Sequence, residues 1–350
     1  MKKLQRNPEK FDVLDLFSTM SINYNYNLSN NISVNDFINR IQTSIKQSQD
    51  NDMLKHGKRI ESLFAYIVGA LGEVKLLTQE DSGNIYYVGD EILAPDYRLT
   101  LNNGEQIFVE VKNFYTTDLT KEYRLTKEYF NKLKIYSELN NIKLKFAIYF
   151  TTMNKWVLLP IEAFNETSNS YDIDFVTAFA KSEMSLLGDR MIGTTPNLEI
   201  HILTNEYEAQ KIDTSGITGF TIRETKFFCA NQEIKDIIEQ NILYNLVMYG
   251  TWIEKSTEAI MNENKLLGIK FIYSPSELTE QNFEMIGLLS SMISNKFKEL
   301  TIKNGKVEAL DLGINPSEFK IFIPNDYDSQ LLPLWQFIIN SNEDFKGIKK

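Results

Sequence analysis

The stretch LAPDYRLTLNNGEQIFVEVKNFY, from Leu93 to Tyr115, contains two strand-like runs separated by the turn signal Asn102-Asn103-Gly104. Glu110 and Lys112 lie among β-branched and apolar neighbours in the second run. Burying a charge is costly unless the charge is paired or binds a metal. The stretch is therefore either a hairpin with one solvated face or a metal-dependent site.

The loop length of this hairpin decides which side chains face each other, because directly opposite residues of an antiparallel pair share a face. A three- or five-residue loop places Asp96 opposite Glu110, whereas a two-residue loop places Asp96 opposite Val111. The odd positions of the two runs are apolar: Tyr97, Leu99, Leu101, Ile107, Val109 and Val111. Because the two apolar sets must share one face, the pattern predicts that Asp96 faces Glu110, with their Cβ atoms roughly 4.5–5.5 Å apart.

Two carboxylates at that separation repel each other unless a divalent cation lies between them. Lys112 lies two residues after Glu110 and points to the same side of the strand. The hairpin therefore predicts one face that carries two acids and a lysine, and an opposite face that is apolar.

These residues resemble the motif of the PD-(D/E)XK nuclease superfamily, which has the restriction-endonuclease-like fold. The matching residues are Pro95-Asp96, a gap of thirteen, and Glu110-Val111-Lys112. The resemblance implies an α/β core of order α-β-β-β-α-β, a mixed sheet flanked by helices. The family commonly places a Glu on the helix before the hairpin, and Glu61 takes that position.

The resemblance also implies a chemistry for these residues. Asp96, Glu110, Glu61 and the backbone carbonyl of Val111 would bind Mg²⁺ or Mn²⁺. Lys112 would orient or deprotonate the attacking water, or stabilise the transition state. The alternative for Glu61 is a solvated residue at the border of an apolar helix stripe.

Apolar periodicity predicts the remaining elements of the core. Apolar residues that recur at three- and four-residue steps predict a helix over 54–77. The other predicted elements of the core are a strand near 85–88, a helix over 121–140, and strands over 143–152 and 155–161. Two weaker apolar patterns, over 11–17 and 32–45, predict short helices in an N-terminal arm.

We divide the chain into the N-terminal helical arm (1–50), the nuclease-like core (51–170) and an additional α+β C-terminal domain (171–350). The last domain has no recognisable motif, and its predicted role is dimerisation, target recognition or partner recognition. Its predicted elements are helices over 175–187, 231–248 and 281–300, and strands over 198–204 and 319–323.

The composition excludes several classes of protein. His56 and His201 are the only histidines, which excludes His-rich zinc sites, and Cys229 stands alone, so no internal disulfide can form. No apolar run reaches the roughly 18 residues of a membrane helix. The N-terminus lacks the apolar segment of a signal peptide, so we expect a cytoplasmic protein without membrane contact.

The net charge of -10 argues against indiscriminate nucleic-acid binding, but the charge is uneven. Residues 121–145 contain seven basic and three acidic side chains, a net charge of +4, which leaves -14 for the rest of the chain. We expect DNA contacts from basic residues on and near this segment and on the acidic face of the hairpin: Lys121, Arg124, Lys127, Lys132 and Arg98. For Arg98 a structural ion pair is the equal alternative, and the aromatic residues among these cations are more often core.

The sequence therefore predicts a Mg²⁺-dependent deoxyribonuclease, an endonuclease acting on double-stranded DNA in restriction or antiviral defence. It would act as a homodimer or as a subunit of a defence complex. The alternative is a catalytically inactive protein with the same fold, a binding or scaffold protein of a mobile element or defence complex.

Overall fold

The computed structural model describes residues 1–3, 12–82, 85–89 and 91–347. Among these residues the α-helices are α1 (Asp12–Tyr24), α2 (Asn31–Gln49), α3 (Asp52–Leu71), α4 (Lys127–Asn140), α5 (Phe175–Ala180), α6 (Ile237–Tyr249) and α7 (Leu289–Thr301). Short 3-10 helices lie at Ile161–Ala163, Met184–Leu187 and Pro316–Phe319.

The described strands form a mixed α/β structure with several sheets. They are β1 (Val74–Gln79), β2 (Tyr97–Leu101), β3 (Gln106–Phe114), β4 (Tyr123–Thr126), β5 (Lys143–Phe150), β6 (Lys155–Pro160), β7 (Asn165–Glu166), β8 (Ser170–Ile173), β9 (Met191–Thr194), β10 (Leu198–Leu203), β11 (Gln210–Lys211), β12 (Glu224–Cys229), β13 (Gln232–Ile234), β14 (Ile253–Asn262), β15 (Lys265–Ser274), β16 (Glu284–Leu288), β17 (Ile302–Lys303), β18 (Lys306–Val307) and β19 (Leu334–Phe337).

The first sheet has the strand order β1-β2-β3-β5-β6, and only β3 and β5 pair in parallel. Helix α4 connects these two strands, as a parallel pair requires. With α3 before the sheet, the element order is α-β-β-β-α-β, and β4 is inserted before α4. This order is the one implied by the sequence resemblance.

The predicted register of the hairpin is confirmed. Tyr97 pairs with Val109 and Leu99 with Ile107, and the Leu101 N–H donates to the Glu105 carbonyl at 2.9 Å across a three-residue loop. The apolar face of the hairpin is buried against α3 in the larger of the two core clusters. The opposite face lies under α4, where Phe108 packs on Tyr136 with ring centroids 5.3 Å apart, so it is not solvated as in a simple amphipathic hairpin.

The first core helix is confirmed, but it ends at Leu71 and not at residue 77. Gly72 adopts φ 101°, a left-handed conformation that ends a helix and that glycine adopts without steric cost. Val74 then begins β1, which pairs with β2. Within α3, Phe64 is fully buried and its ring lies 5.6 Å from that of Trp156.

Two other predictions in the core are wrong. Residues 85–88 form no strand, and Tyr86 and Val88 are almost fully exposed. The helix predicted to begin at residue 121 begins at Lys127, because the Thr126 side chain caps it by accepting the Tyr129 N–H. Residues 123–126 instead form β4, which pairs with β8.

In the C-terminal half the predicted strand over 198–204 is confirmed as β10. The helix predicted from residue 175 begins there but ends early, whereas the helices predicted from residues 231 and 281 begin later than predicted. The predicted helix over 175–187 is α5 followed by a separate 3-10 helix, residues 232–234 form β13 before α6, and residues 284–288 form β16 before α7. Residues 319–323 form no strand, and Phe319 instead ends a 3-10 helix. Strand pairing accounts for two of these differences, because β13 forms a hairpin with β12 and β16 pairs with the distant strand β9.

Helices α1 and α2 confirm the predicted helices of the N-terminal arm, where Phe17 and Phe37 pack with ring centroids 5.2 Å apart. Phe11, the first residue of the predicted pattern, lies outside the described residues.

The division at residue 170 stays a prediction, although the larger core cluster contains residues from both sides of it. Tyr66 of α3 packs on Phe297 and Phe319, with centroid distances of 5.1 and 4.9 Å. Gly69 of the same helix lies against Pro316, and a Cβ at this glycine would come within 2.4 Å of the proline ring. Nowhere in the described ranges is a helix both long and apolar enough to cross a membrane.

Candidate functional site

Two carboxylates meet where β2 begins beside β3. Asp96 directly precedes β2, and its Oδ2 accepts the N–H of Val111 at 2.6 Å. Glu110 lies in β3 and is 3% exposed, and its Oε1 accepts from Lys112 Nζ at 2.6 Å and from the Tyr129 hydroxyl at 2.5 Å. The hairpin register therefore brings together Asp96, Glu110 and Lys112, as the sequence pattern predicts.

Each carboxylate uses only one oxygen in these contacts. Among the described residues, no hydrogen bond reaches Asp96 Oδ1 or Glu110 Oε2, and neither atom is among the buried polar atoms that lack a partner. Neither oxygen is therefore completely buried, although the Glu110 side chain as a whole is only 4% exposed. Two such carboxylate oxygens, one just before β2 and one on β3, are the ligand type that Mg²⁺ and Mn²⁺ prefer.

The electrostatics of the pair favour a bound cation. Burial, and then repulsion by Glu110, raise the pKa of Asp96 to about 7. The backbone N–H of Val111 opposes this shift without cancelling it. A divalent cation between the two groups would offset both the burial of the charges and their repulsion, so the residues present fit such an ion.

Lys112 is the counter-ion of Glu110 in this arrangement. Its ammonium also donates to the Tyr129 hydroxyl at 2.9 Å and lies 4.6 Å from the centre of the tyrosine ring. Burial lowers the pKa of Lys112, but the Glu110 charge and Tyr129 outweigh burial and raise the pKa overall. Burial and the Glu110 charge raise the pKa of the Tyr129 hydroxyl, so the hydroxyl keeps its proton and donates to Glu110.

Glu61 is near this pair but is held by another residue. It lies on α3, which packs on the other face of the sheet, and its Oε2 accepts from Lys58 at 2.6 Å. Its backbone carbonyl accepts from the Tyr97 hydroxyl at 3.1 Å, and its charge contributes to the raised pKa of Asp96. The described residues include no group of three or more His, Cys, Asp or Glu side chains arranged to hold a metal. Asp96 and Glu110 are thus the acids brought together, and the ligand roles of Glu61 and the Val111 carbonyl stay predictions.

The structure places four of the five cations predicted to contact DNA in ion pairs. Arg98 Nη2 donates to Glu80 Oε2 at 2.9 Å, and the Tyr136 hydroxyl donates to the same oxygen at 2.7 Å. Arg124 forms a two-point contact with buried Asp172 at 3.0 and 2.9 Å, which joins β4 to β8.

The two lysines of α4 are also paired with acids. Lys127 donates to Glu166 at 2.6 Å, and Lys132 pairs with Glu91 and, at 3.1 Å, with Glu128. Of the basic residues over 121–145, all of which the structure describes, Lys121 is the one that forms no ion pair. The local excess of positive charge is thus balanced by acids that mostly lie outside this segment.

Two residues near the carboxylates were not predicted from the sequence. Tyr129 was interpreted as a core aromatic, yet its hydroxyl contacts both Glu110 and Lys112. Lys58 lies one turn before Glu61 and donates to its Oε2 at 2.6 Å, which places a cation beside that acid. Thr126 could have placed Tyr129 in the first turn of a helix, because a threonine before a first turn that contains Glu is a typical helix start.

The chain was compared with known proteins. No family model matches it, and no relative was found among the curated proteins. Among solved structures it is similar to Hjc, a Holliday junction resolvase from the archaeal hyperthermophile Archaeoglobus fulgidus. The match covers 33% of this chain and 86% of that chain, with 15% sequence identity and a TM-score of 0.24. Values this low support no conclusion about activity, so the function has to be inferred from the site.

Proposed function

We propose that the protein is a metal-dependent nuclease that hydrolyses phosphodiester bonds of DNA, with its active site at Asp96, Glu110 and Lys112. One observation carries the proposal. Two carboxylates on adjacent strands each fix one oxygen by a hydrogen bond and leave the other open, with a lysine ammonium beside them. A structural ion pair has no need of a second carboxylate, which adds only repulsion.

The residues divide the work by their chemistry. Asp96 Oδ1 and Glu110 Oε2 would hold Mg²⁺ or Mn²⁺, with the Val111 carbonyl and Glu61 as further proposed ligands. When bound, the ion would polarise the scissile phosphate and lower the pKa of a water molecule. Lys112 would orient the water and stabilise the negative charge that develops on the phosphate. The water oxygen would form a bond to phosphorus as the bond to the 3′ oxygen breaks. The water would lose a proton to solvent and the 3′ oxygen would take one up, which leaves a 5′-phosphate and a 3′-hydroxyl.

We infer double-stranded DNA as the substrate and an endonuclease role in restriction or antiviral defence. The protein would act as a homodimer or as a subunit of a defence complex, and residues 171–350 would supply the target or partner surface. The support for these finer points is the resemblance of the hairpin motif, which is an analogy at the level of fold.

A second candidate is a non-catalytic binding or scaffold protein with the same core. The observation that favours it is the pairing of Arg98, Arg124, Lys127 and Lys132 with acids, because a DNA-binding surface needs cations available to phosphates.

Cleavage assays separate the two candidates. Plasmid, linear duplex, single-stranded DNA and RNA are incubated with the protein in Mg²⁺ or in EDTA. We expect Mg²⁺-dependent cleavage that Asp96→Asn and Glu110→Gln each abolish, while both variants remain folded. Glu105→Gln is the matched control, because this exposed acid lies on the same hairpin and its side chain, among the described residues, forms an ion pair with Lys143 alone, at 3.7 Å. Cleavage by either site variant at the wild-type rate would refute the assignment.

A further inference from the structure

The Tyr129 hydroxyl bridges the two groups of the proposed site that lie on β3. It donates to Glu110 Oε1 at 2.5 Å and accepts from Lys112 Nζ at 2.9 Å. Lys112 Nζ itself donates to the same Glu110 oxygen at 2.6 Å. The three polar groups thus form a closed triangle in which every edge is a hydrogen bond.

This triangle determines which oxygen of Glu110 remains available. Two donors, one of them a cation, converge on Oε1, and a carboxylate oxygen has about two lone pairs to offer. The carboxylate is therefore held with Oε2 as its open oxygen. Without the hydroxyl, Lys112 alone would have to hold Oε1, and the carboxylate group would be free to rotate.

The fold holds the hydroxyl in place from outside the hairpin. Thr126 accepts the Tyr129 N–H and fixes the start of α4, so Tyr129 lies in the first turn of the helix. Phe130 and Leu133, on neighbouring positions of the helix, are buried in the smaller core cluster together with Phe146 and Ile148 of β5. The helix is thus anchored on the same face of the sheet that carries Glu110.

We propose that Tyr129 is a positioning residue of the nuclease site, which holds Glu110 and Lys112 so that Glu110 presents Oε2 to the metal and Lys112 keeps its ammonium at the site. This inference rests on the proposed function and deepens it. Partners that orient a metal ligand typically contribute 10- to 100-fold in metal affinity or activity, which sets the size of the expected effect.

The alternative is that Tyr129 only packs, since its ring lies 4.6 Å from the Lys112 ammonium. Phenylalanine keeps the ring and removes the hydroxyl, so Tyr129→Phe separates the two roles. Tyr123 provides a matched control. It is partly buried, and burial raises the pKa of its hydroxyl, while the charges of Lys112 and Glu110 act on it in opposite directions. Its ring packs edge-on against Phe114 at 5.6 Å. No hydrogen bond of its hydroxyl occurs among the described residues.

The test compares wild type, Tyr129→Phe and Tyr123→Phe by three measurements. Calorimetry gives the affinity for Mn²⁺ alone, single-turnover cleavage at saturating duplex DNA gives the rate, and an inactive complex in Ca²⁺ gives the DNA affinity. For Tyr129→Phe we expect a 10- to 100-fold loss of Mn²⁺ affinity or of rate, with unchanged DNA affinity. Tyr123→Phe should match wild type in all three.

The outcomes separate the inference from the proposed function. A wild-type protein that cleaves, with Tyr129→Phe equal to it within twofold in rate and Mn²⁺ affinity, overturns the inference and leaves the proposed function standing. Equal losses in Tyr129→Phe and Tyr123→Phe would also overturn it, because the loss would not depend on the bridging hydroxyl. A wild-type protein that neither binds Mn²⁺ nor cleaves overturns the proposed function and the inference with it.

Discussion

Replacement of Lys112 by methionine should destabilise the metal-free protein by about 3 kcal/mol. Methionine keeps an apolar stem of similar length but removes the ammonium. The Glu110 side chain is 4% exposed and that of Lys112 is 28% exposed, so the substitution leaves a buried carboxylate without its counter-ion. Breaking such a pair costs about 3–5 kcal/mol, and the partial exposure of Lys112 and the remaining Tyr129 hydrogen bond place the cost at the lower end.

Urea unfolding in EDTA at pH 7 measures this cost. For a denaturant slope of about 3 kcal/mol per molar, the unfolding midpoint should fall by about 1 M, with an unchanged slope. Adding Glu110→Gln to Lys112→Met removes the unpaired charge and should restore most of the stability. Saturating Mn²⁺ should reduce the loss, because the bound ion replaces the missing positive charge.

Two results would refute this reasoning. If Lys112→Met unfolds in EDTA at the wild-type midpoint, the lysine is not the counter-ion of a buried carboxylate. If the double variant is no more stable than the single one, the loss comes from packing and not from charge.

The remaining predictions concern helix packing, pH and DNA affinity. Gly69→Ala should destabilise the protein by about 1–3 kcal/mol, because the added Cβ would collide with the ring of Pro316. Gly57→Ala, in the same helix but with open space around it, should stabilise the protein by up to about 1 kcal/mol. Urea midpoints that move in the same direction for the two variants would contradict this. Burial raises the pKa of Asp189 to about 6, so between about pH 4 and 6 the folded protein holds a proton that the unfolded chain releases. The contribution of Asp189 to the free energy of unfolding should therefore fall as the pH rises through this range. Asp189→Asn should remove this slope, and parallel stability curves for the two proteins between pH 4 and 7 would refute it. If the proposed DNA surface is correct, Lys127→Gln with Lys132→Gln should weaken DNA binding and reduce the slope of log affinity against log salt by up to about 2, whereas an unchanged slope would place that surface elsewhere.

The hairpin was predictable because its information is local. Alternating side chains over two short runs allow one register that buries the apolar set, and Asp96 and Glu110 follow from that register. The end of α3 was also local information, because Gly72 ends the helix, but the apolar periodicity extended the predicted helix to residue 77. For the same reason, the sequence predicts that Lys112 lies on the same face of the hairpin as Glu110.

The errors arise where residues distant in the sequence determine the local structure or the local charge. Residues 121–126 have helical periodicity, but β4 forms because β8 lies beside it. The charge of the basic segment was counted locally, whereas Glu91, Glu166 and Asp172, which balance it, come from outside the segment. The contact of Tyr129 with Glu110 depends on how α4 packs over the sheet, which local patterns do not specify.

Anomalous diffraction from a crystal grown with Mn²⁺ tests the central claim most directly. We predict an anomalous peak between Asp96 Oδ1 and Glu110 Oε2, within about 2.5 Å of both oxygens, that is absent from crystals of Asp96→Asn. A well-ordered wild-type site at millimolar Mn²⁺ with no peak there, or with the ion bound elsewhere, would contradict the proposal.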